Sequence, residues 1–400
     1  MTDIKHIRKD FPALDNGLAF FDGPGGTQTP RAVADAIHQA MLAPLSNRGT
    51  RTVAETNAER IVGEFRLAMA DFLNTEPNTI VHGRSATQLT FDFSRHIAKH
   101  WNPGDEIVLC RLGHDSNVRP WVIAAARAGA VVRWIDFDPH TTEVDLDSYR
   151  SVLSEKTRLV ALTAASNLLG TISPIAKMAH MAHELGALVY VDGVHYAAHH
   201  AVDLGALGAD FLVCSPYKFL GPHCGVLAAR PGLLEELSPD KLLPSTNVAP
   251  EKFELGTLPY ELLSGVTAAV NYIASLAPTR SVHRRENLIR AIENIEARAL
   301  HLRGRLEREL GAIPGVQILS RAKERTSTLL IDLGDRCPVA CSDYLACENI
   351  SVPAGTFYAY EAAKRMELPA HGCLRIGLAP YVNDEDVDRL VHAMSRYLRA

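Results

Sequence analysis

The chain has 400 residues, a formal net charge of −5, 47% hydrophobic residues and 22% charged residues. These values are typical of an ordinary globular protein, and the length suits one large domain with a smaller one. The net charge is slightly negative, so the chain lacks the excess of basic residues that is typical of nucleic-acid binding. No apolar stretch is long enough to span a membrane. Because the N-terminal residues lack the apolar core of a signal peptide, we expect a cytoplasmic protein with neither nucleic acid nor a membrane as partner.

The cysteines give no sign of a metal site. Seven are present, and they form neither a CxxC pair nor a common zinc spacing. We therefore expect no bound metal and reduced, mostly buried thiols, as is usual in a cytosolic chain.

Apolar β-rich runs alternate with alanine-rich helical patterns between about residues 75 and 230. The predicted strands are 106–110, 131–137, 158–166, 187–193, 211–214 and 225–230. Continuous apolar strands separated by helices predict a mostly parallel sheet covered by helices on both faces. In such sheets ligands bind at the carboxyl ends of the strands.

The remainder of the chain predicts a smaller α+β unit. A linking helix begins near residue 260, and a long amphipathic helix is predicted over 284–310. Short strand-like runs follow, and a last helix begins near Asp384. We therefore predict an α/β fold with a large domain over 20–275 and a small domain formed by 1–19 and 276–400.

Three polar side chains come directly after predicted strands. Asp192 ends one apolar run, Lys218 follows the next, and Asn167 follows the run at 158–166. Since a charged group at a buried strand end needs a partner, a simple ion pair between Asp192 and Lys218 is one interpretation. The other is a site for pyridoxal phosphate, which requires a lysine for an imine and an acid for its ring nitrogen.

Pyridoxal phosphate also needs small hydroxyl residues and free backbone N–H groups near a helix start. The small-residue turn before a helix at 83–93 offers Thr87 and Gln88 in the first helical turn. Ser215 and Tyr217, which flank Lys218, offer further hydroxyls. Each feature is common alone, and their combination favours the cofactor site.

The motifs FFDGPGGTQTP, ASNLLGT, VDGVHYAAHH, CSPYKFLGPHCG, FELGTLP and LRIGLAPYVNDEDVDRL extend over nearly the whole chain. As a set they resemble the cysteine desulfurase and selenocysteine lyase group, which has the class V aminotransferase fold and belongs to the fold-type I pyridoxal phosphate enzymes. The resemblance implies that Lys218 forms the imine and moves protons, that Asp192 pairs with the pyridine nitrogen, and that His195 contacts the ring oxygen.

The same resemblance implies further binding roles. It places the phosphate among Ala86, Thr87, Ser215, Tyr217 and, from a second protomer, Thr257, so that a homodimer with shared active sites is expected. It assigns the α-carboxylate of an amino-acid substrate to Asn167 and Arg375. It also puts Gly26, in the GPGG loop, close to the substrate, and it makes Arg48 a contact across the dimer.

The chain departs from the family pattern in two places. Where the family has a histidine over the cofactor ring, the aligned residue is Asp115, preceded by His114. Either His114 turns inward, or Asp115 contacts the cofactor or substrate as an acid, unless Asp115 serves only as a helix cap. Where desulfurases carry a mobile catalytic cysteine, the stretch 352–360 has Tyr358 or a neighbour and no cysteine.

A phenol cannot replace a thiolate at neutral pH, so a persulfide relay is not expected. The favoured function is therefore β-elimination from an α-amino acid, a C–S lyase reaction with no catalytic loop cysteine. An aminotransferase on the same fold remains an alternative, with Arg48, Arg84 or Arg119 as a possible second arginine, and so does racemisation. A non-catalytic sulfur-transfer or regulatory homologue is the alternative from another class.

Overall fold

The fold is described from a computed structural model that covers residues 4–399. In chain order its α-helices are α1 (Ile4–Lys9), α2 (Arg31–Leu42), α3 (Val53–Leu73), α4 (Ala86–Ala98), α5 (Arg119–Ala128), α6 (Leu146–Val152), α7 (Ile175–His183), α8 (Leu204–Leu207), α9 (Leu233–Glu236), α10 (Tyr260–Ser275), α11 (Arg284–Gly311), α12 (Pro338–Cys347), α13 (Tyr360–Arg365) and α14 (Asp384–Arg399). Its strands are β1 (Ala19–Phe20), β2 (Ile80–Gly83), β3 (Glu106–Cys110), β4 (Val131–Ile135), β5 (Thr157–Thr163), β6 (Leu188–Asp192), β7 (Phe211–Cys214), β8 (Gly225–Ala229), β9 (Gln317–Ile318), β10 (Thr328–Asp332), β11 (Ile350–Ser351), β12 (Ala354–Gly355) and β13 (Cys373–Gly377).

A seven-stranded sheet forms the centre of the molecule, with strand order β2-β8-β7-β6-β5-β3-β4. The neighbours from β7 to β4 pair in parallel, and only β8 runs antiparallel to both of its neighbours. The predicted mostly parallel α/β sheet is therefore confirmed. All six predicted strands exist with ends within three residues of the expected ones, and β2 is a seventh strand that the sequence did not reveal.

Two hydrophobic cores cover the two faces of this sheet. Alternate residues of β5 divide between them, with Val160 and Leu162 in one core and Leu159 and Ala161 in the other. Such alternation follows from the two-residue period of side chains along a strand. Because both faces are covered, the strands are apolar throughout, and polar groups concentrate at their carboxyl ends.

A second, four-stranded antiparallel sheet has the order β12-β13-β10-β9 and lies in the C-terminal part. The N-terminal segment joins this part of the molecule, because β1 pairs in parallel with β11 and Arg8 forms an ion pair with Asp386. The grouping of residues 1–19 with residues 276–400 in one small domain stays a prediction, as does the exact division at residues 20 and 275.

Within residues 4–399, no helix combines the length and the hydropathy that a bilayer crossing requires. The same residues contain no cluster of three or more histidine, cysteine, aspartate or glutamate side chains that could hold a metal ion.

Candidate active site

The carboxyl ends of three adjacent parallel strands, β5, β6 and β7, meet at one edge of the large sheet. Asp192 is the last residue of β6, and Lys218 lies in a short 3-10 turn that follows β7. Asn167 lies in the loop after β5. A cavity of about 330 Å³ opens at this edge and brings all three side chains together.

Nine of the residues proposed from the sequence line this cavity: Ala86, Thr87, Asn167, Asp192, His195, Ser215, Tyr217, Lys218 and Arg375. The other lining residues are Pro24, Gly25, Ser85, His114, Ser116, Thr163, Ala165, Val194, Phe357 and Tyr358.

Lys218 is buried in the cavity wall, and its Nζ donates a hydrogen bond to the carbonyl oxygen of Pro24. Burial, followed by the positive charge of Arg375, lowers the pKa of this amine to about 8, although Asp22 and Asp192 act in the opposite direction. A lysine with such a pKa has an appreciable neutral fraction near neutral pH. Neutral amine is the form that attacks an aldehyde or accepts a proton.

Asp192 is buried as well, and its Oδ1 accepts a hydrogen bond of 2.9 Å from the backbone N–H of Val194. Burial raises the pKa of its carboxyl group to about 6, although that hydrogen bond and the charge of Lys218 both lower it. A buried acid with one backbone donor is expensive to keep ionised. A cationic partner in the cavity would relieve this cost.

The N-terminus of α4 forms one wall. Ser85 caps the helix by accepting a hydrogen bond from the N–H of Gln88, so the first-turn residues Ala86 and Thr87 face the cavity. Gly225 at the start of β8 allows this placement, because a Cβ there would lie 2.3 Å from the carbonyl carbon of Ser85. Backbone N–H groups at a helix N-terminus favour an anion such as a phosphate.

Arg375, from β13 of the small sheet, reaches into the same cavity. Its guanidinium donates 2.6 Å to Oδ1 of Asp22 and 3.2 Å to the carbonyl oxygen of Asn167, and it lies 3.8 Å from the centroid of the Phe357 ring. Burial lowers the pKa of this guanidinium, and Asp22 opposes that effect. The geometry leaves its Nε buried and without a hydrogen-bond partner among the described residues.

His195 follows β6 and is buried. Its Nε2 lies 3.0 Å from each of the hydroxyl oxygens of Thr326 and Thr328, and its ring meets the ring of His199 edge-on. Burial, helped by the positive charges around it, lowers the pKa of this imidazole well below its usual value. Its Nδ1 is buried and has no partner among the described residues.

His114, and not Asp115, lines the cavity. Nδ1 of His114 accepts a hydrogen bond of 3.1 Å from the N–H of Ser116, so this nitrogen is unprotonated and the neutral ring carries its proton on Nε2. Burial, with Lys218 as the next cause, lowers the pKa of the ring to about 4. Of the two alternatives drawn from the sequence, the structure shows the one in which His114 turns inward.

The expectation that Asp115 contacts the substrate differs from the structure. Its carboxylate pairs with Arg119 at 3.0 Å, and this residue does not line the cavity. The short 3-10 turn at Asp115–Asn117 is capped by His114 rather than by Asp115. Because Arg119 stands one helical turn away, it draws the carboxylate away from the strand ends.

The loop between β12 and α13 closes the mouth of the cavity. Phe357 and Tyr358 both have positive φ values, 54° and 58°, which are uncommon for residues other than glycine. The backbone of Asp115 donates 2.8 Å to the carbonyl of Tyr358, and Asn167 Nδ2 donates 2.9 Å to that of Phe357. The Tyr358 ring, 77% exposed, stacks on the imidazole of His114.

No cysteine is among the described residues that line the cavity. Cys214, which directly precedes Ser215, is buried. Cys224, which follows Lys218 in the chain, and Cys373, which precedes Arg375, are buried as well. Burial raises the pKa of the Cys224 and Cys373 thiols to about 12, so neither is a ready thiolate at neutral pH. The exposed cysteines are Cys337 and Cys347, which lie at the two ends of the α12 region.

Arg48 and Thr257, which were also proposed from the sequence, lie outside the cavity of this chain. Arg48 is held by Glu59 at 2.8 Å and by Glu251 at 3.0 Å. Thr257 borders a neighbouring cleft and contacts Asn47. Both belong to surface segments, so their predicted role depends on a second protomer and stays a prediction.

Gly26 lies behind the cavity wall and not on it. A Cβ at this residue would be 3.3 Å from the ring of Tyr217, and it is the preceding Pro24 and Gly25 that face the cavity. His223 lies in the turn that follows Lys218. Its ring stacks on the ring of Tyr217 with centroids 4.8 Å apart. It borders the neighbouring cleft with Thr257.

Sequence reasoning missed several lining residues, of which Thr163 and Phe357 are the most informative. Thr163 is the last residue of β5, and position at a strand end was the signal that could have identified it. Phe357 carries no polar group. The only indication in the sequence was its place beside Tyr358, in the loop that differs from the family pattern.

The polar atoms that lack partners test whether the cavity fits pyridoxal phosphate. Buried Thr163 Oγ1, Asn167 Oδ1, His195 Nδ1 and Arg375 Nε have no hydrogen-bond partner among the described residues. Buried polar groups are almost always satisfied, so four such atoms around one cavity indicate a polar ligand. Together with a buried lysine, a strand-end acid and a helix N-terminus, they fit this cofactor and an amino acid.

A large, mostly parallel sheet with a buried lysine of lowered pKa at its edge, together with a smaller C-terminal sheet, is typical of the fold-type I pyridoxal phosphate enzymes. The family model for aminotransferase class-V matches residues 19–390, and the chain belongs to this family. It is therefore a pyridoxal phosphate-dependent enzyme of the cysteine desulfurase-like group.

Individual proteins support this assignment. A cysteine desulfurase of Klebsiella pneumoniae is 32% identical over 419 residues and covers 98% of both chains. An aminotransferase-like protein of Gibberella zeae, FGM3, is 31% identical over 421 residues, covering 99% of this chain and 98% of its own length. The crystal structure of the cysteine desulfurase CsdA from Escherichia coli has a TM-score of 0.88 and 27% identity, and the alignment covers 100% and 99% of the two chains.

Proposed function

We propose that this enzyme is a C–S lyase that removes sulfur from an amino acid of the cysteine type by β-elimination, with no thiol of its own in the reaction. The observation that carries the proposal is the composition of the cavity. It contains Lys218 as a base, and the loop over its mouth presents Tyr358 where a nucleophilic cysteine would be needed.

The residues around the cavity divide into three groups by what they could hold. The phosphate of the cofactor would be bound by Ala86 and Thr87 at the N-terminus of α4, together with Ser215 and Tyr217, which line the same cavity. Asp192 would pair with the ring nitrogen, and this partner would remove the cost of its buried charge. When bound, pyridoxal phosphate stores the electron pair that is released from the substrate.

Arg375 would hold the α-carboxylate of the substrate, with Asn167 beside it. The unsatisfied Nε–H of Arg375 can donate to the carboxylate, whereas the unsatisfied Oδ1 of Asn167 can accept from a neighbouring donor such as the amino group of the substrate. Burial makes this contact strong and directional, because water does not compete for the same atoms. With the carboxylate fixed, the Cα–H bond has a defined orientation in the cavity.

The side chain of the substrate is restricted to a small, uncharged group. Among the described residues that line the cavity, the charged side chains are Asp192, Lys218 and Arg375, and each already has a role. What remains near the mouth is the neutral ring of His114 with the phenol of Tyr358. A volume of about 330 Å³ is also at the small end of ligand pockets.

Proton movement depends on Lys218. Its amine takes the proton from Cα of the substrate, the Cβ–S bond breaks with its electron pair going to sulfur, and the sulfur then takes up a proton. Addition of water to the remaining three-carbon fragment gives pyruvate and ammonia, so cysteine and water yield pyruvate, ammonia and hydrogen sulfide. The lowered pKa of the lysine suits a base that works near neutral pH.

The proposal includes a homodimer in which Thr257 and Arg48 act on the partner's site. Both lie in surface segments that carry exposed apolar residues, including Leu255 at 65% exposure and Leu42 at 73%. Exposed apolar side chains close together are typical of a protein interface. Sedimentation analysis of the wild type and of Leu42→Asp would test this, since the charged variant should dissociate.

The decisive experiment is product analysis of the holoenzyme with L-cysteine and L-cystine. Elimination leaves pyruvate, whereas transfer of sulfur to an enzyme thiol leaves alanine, so the ratio of these two products separates the mechanisms. From L-cysteine we expect pyruvate and sulfide in equal amounts, and from L-cystine we expect pyruvate and thiocysteine in equal amounts. The rates should be unchanged in Cys337→Ser and Cys347→Ser.

Alanine as the main product would overturn the proposal. A keto acid without sulfide would instead identify an aminotransferase, and failure to bind pyridoxal phosphate would indicate a non-catalytic homologue. Lys218→Ala is the matched control, since it should remove both pyruvate and the cofactor's characteristic absorbance.

A further inference from the structure

Among the described residues, His195 has hydrogen-bond partners at only one of its two ring nitrogens. Nε2 of His195 is 3.0 Å from Oγ1 of Thr326 and 3.0 Å from Oγ1 of Thr328, and these two oxygens are 3.2 Å apart. All three side chains are buried, which limits the access of bulk water to them. Thr328 is the first residue of β10 in the small sheet and Thr326 precedes that strand, whereas His195 follows β6 of the large sheet.

We propose that Thr326 and Thr328 fix His195 as the neutral tautomer with its proton on Nδ1, so that Nδ1 is the hydrogen-bond donor to the phenolic oxygen of pyridoxal phosphate. The two threonines are thus positioning residues that act on the cofactor through His195.

Counting hydrogens within the three groups supports this tautomer. If Nε2 is unprotonated, the Thr326 hydroxyl donates to Thr328 and the Thr328 hydroxyl donates to Nε2, so both hydrogens have acceptors. If Nε2 carries a proton, three hydrogens compete for two oxygens, and one buried donor remains without an acceptor. Because a buried donor without an acceptor is unfavourable, the tautomer with unprotonated Nε2 should be more populated by about tenfold or more.

The same assignment accounts for the unsatisfied nitrogen on the other side of the ring. Nδ1 of His195 is buried and unpartnered among the described residues, and His195 lines the cavity. A protonated Nδ1 needs an acceptor there, and an anionic phenolic oxygen provides one. The titratable and charged groups nearest to the ring are His199, Lys218, Arg375 and His200, and all four oppose a positive charge on it.

The tautomer can be measured directly on the cofactor-free protein. With ¹⁵N-labelled histidine, two-bond ¹H–¹⁵N correlation spectra distinguish a protonated from an unprotonated ring nitrogen, and His195→Gln identifies the signals of this residue. We expect the wild type to show protonated Nδ1 and unprotonated Nε2. Protonated Nε2 in the wild type would overturn the proposal without any variant being needed.

The double variant Thr326→Val/Thr328→Val removes both hydroxyls at nearly constant volume, and Thr326→Ser/Thr328→Ser restores them. We expect the valine pair to lose the preference for protonated Nδ1 and the serine pair to keep it. Thr171→Val, another buried threonine that bonds a backbone carbonyl, controls for a general effect of burying a methyl group.

The holoenzyme supplies a second readout. Because a donor to the phenolic oxygen favours its anionic form, losing that donor should raise the apparent pKa of the cofactor's absorbance transition by about one unit. A valine pair with unchanged tautomer and unchanged titration would contradict the proposal. Neither measurement uses a substrate, so both are independent of whether cysteine gives pyruvate or alanine.

Discussion

Replacing Asp192 by asparagine separates the cost of burying a carboxylate from its use in binding. The side chain is 6% exposed at the end of β6, and its one hydrogen bond comes from the N–H of Val194. Asparagine can keep that bond through its amide oxygen, so the change removes the charge with little loss of packing. We expect the variant to be more stable than the wild type when the cofactor is absent.

The size of the effect follows from the pKa. Burial raises the pKa of Asp192 from 3.8 to about 6, and such a shift corresponds to about 3 kcal/mol. For an acid whose pKa is higher in the folded state, ionisation reduces the stability of the fold. This loss of stability is absent below the pKa of the unfolded state, grows as the pH rises, and is complete above the pKa of the folded state. The asparagine variant should therefore gain about 1.5 kcal/mol near pH 5 and about 3 kcal/mol at pH 7.

Denaturant unfolding of the cofactor-free proteins between pH 5 and pH 8, followed by circular dichroism, measures this difference. Asp335→Asn, on an exposed turn, is the matched control and should show no pH-dependent gain. The reasoning about burial is refuted if Asp192→Asn is no more stable than the wild type at pH 7, or if its gain does not grow from pH 5 to pH 7. In the holoenzyme the sign should reverse, because the variant loses its charged partner for the ring nitrogen.

Three further changes test other parts of the site. Arg375→Leu should raise the pKa of Lys218 above about 8, so the pH midpoint for cofactor capture by the apo-protein, measured by stopped-flow absorbance, should move upward and not downward. Gly225→Ala should cost about 1–3 kcal/mol in thermal unfolding and weaken cofactor binding, whereas Gly63→Ala, with open space at its Cβ, should be neutral or stabilising. Tyr358→Ala should raise KM about threefold by removing a ring stack, and Tyr358→Phe should keep the wild-type KM; equal values for the two variants would contradict the stacking role.

The sheet was predictable from the sequence because burial on both faces leaves a simple signal. A strand such as β5 is apolar along its whole length, and the polar residues that follow it mark the edge where ligands bind. The short β2 was missed because its four residues include a histidine and a glycine, which do not form an apolar run.

The site was predictable where local chemistry and position agree, as at Lys218 and Asp192. It was not predictable where the outcome depends on a contact between distant segments. The direction of Asp115 is set by Arg119 one turn later, and the inward position of His114 depends on Tyr358, more than two hundred residues away. Such contacts leave no periodic pattern in the chain, so residues like Thr326 and Thr328 could be recognised only in three dimensions.

The pairing of both chain ends has a consequence for synthesis on the ribosome. β1 pairs with β11, and Asp22 meets Arg375 across a sequence separation of 353 residues. At about 5–20 residues per second, the arginine emerges roughly 20–70 s after the aspartate. During that interval the large sheet can form and present Lys218, while the wall made by β13 does not yet exist. We therefore expect a nascent chain that stops before residue 370 to capture pyridoxal phosphate weakly and to discriminate poorly among amino acids, so that selectivity is acquired only with the last thirty residues.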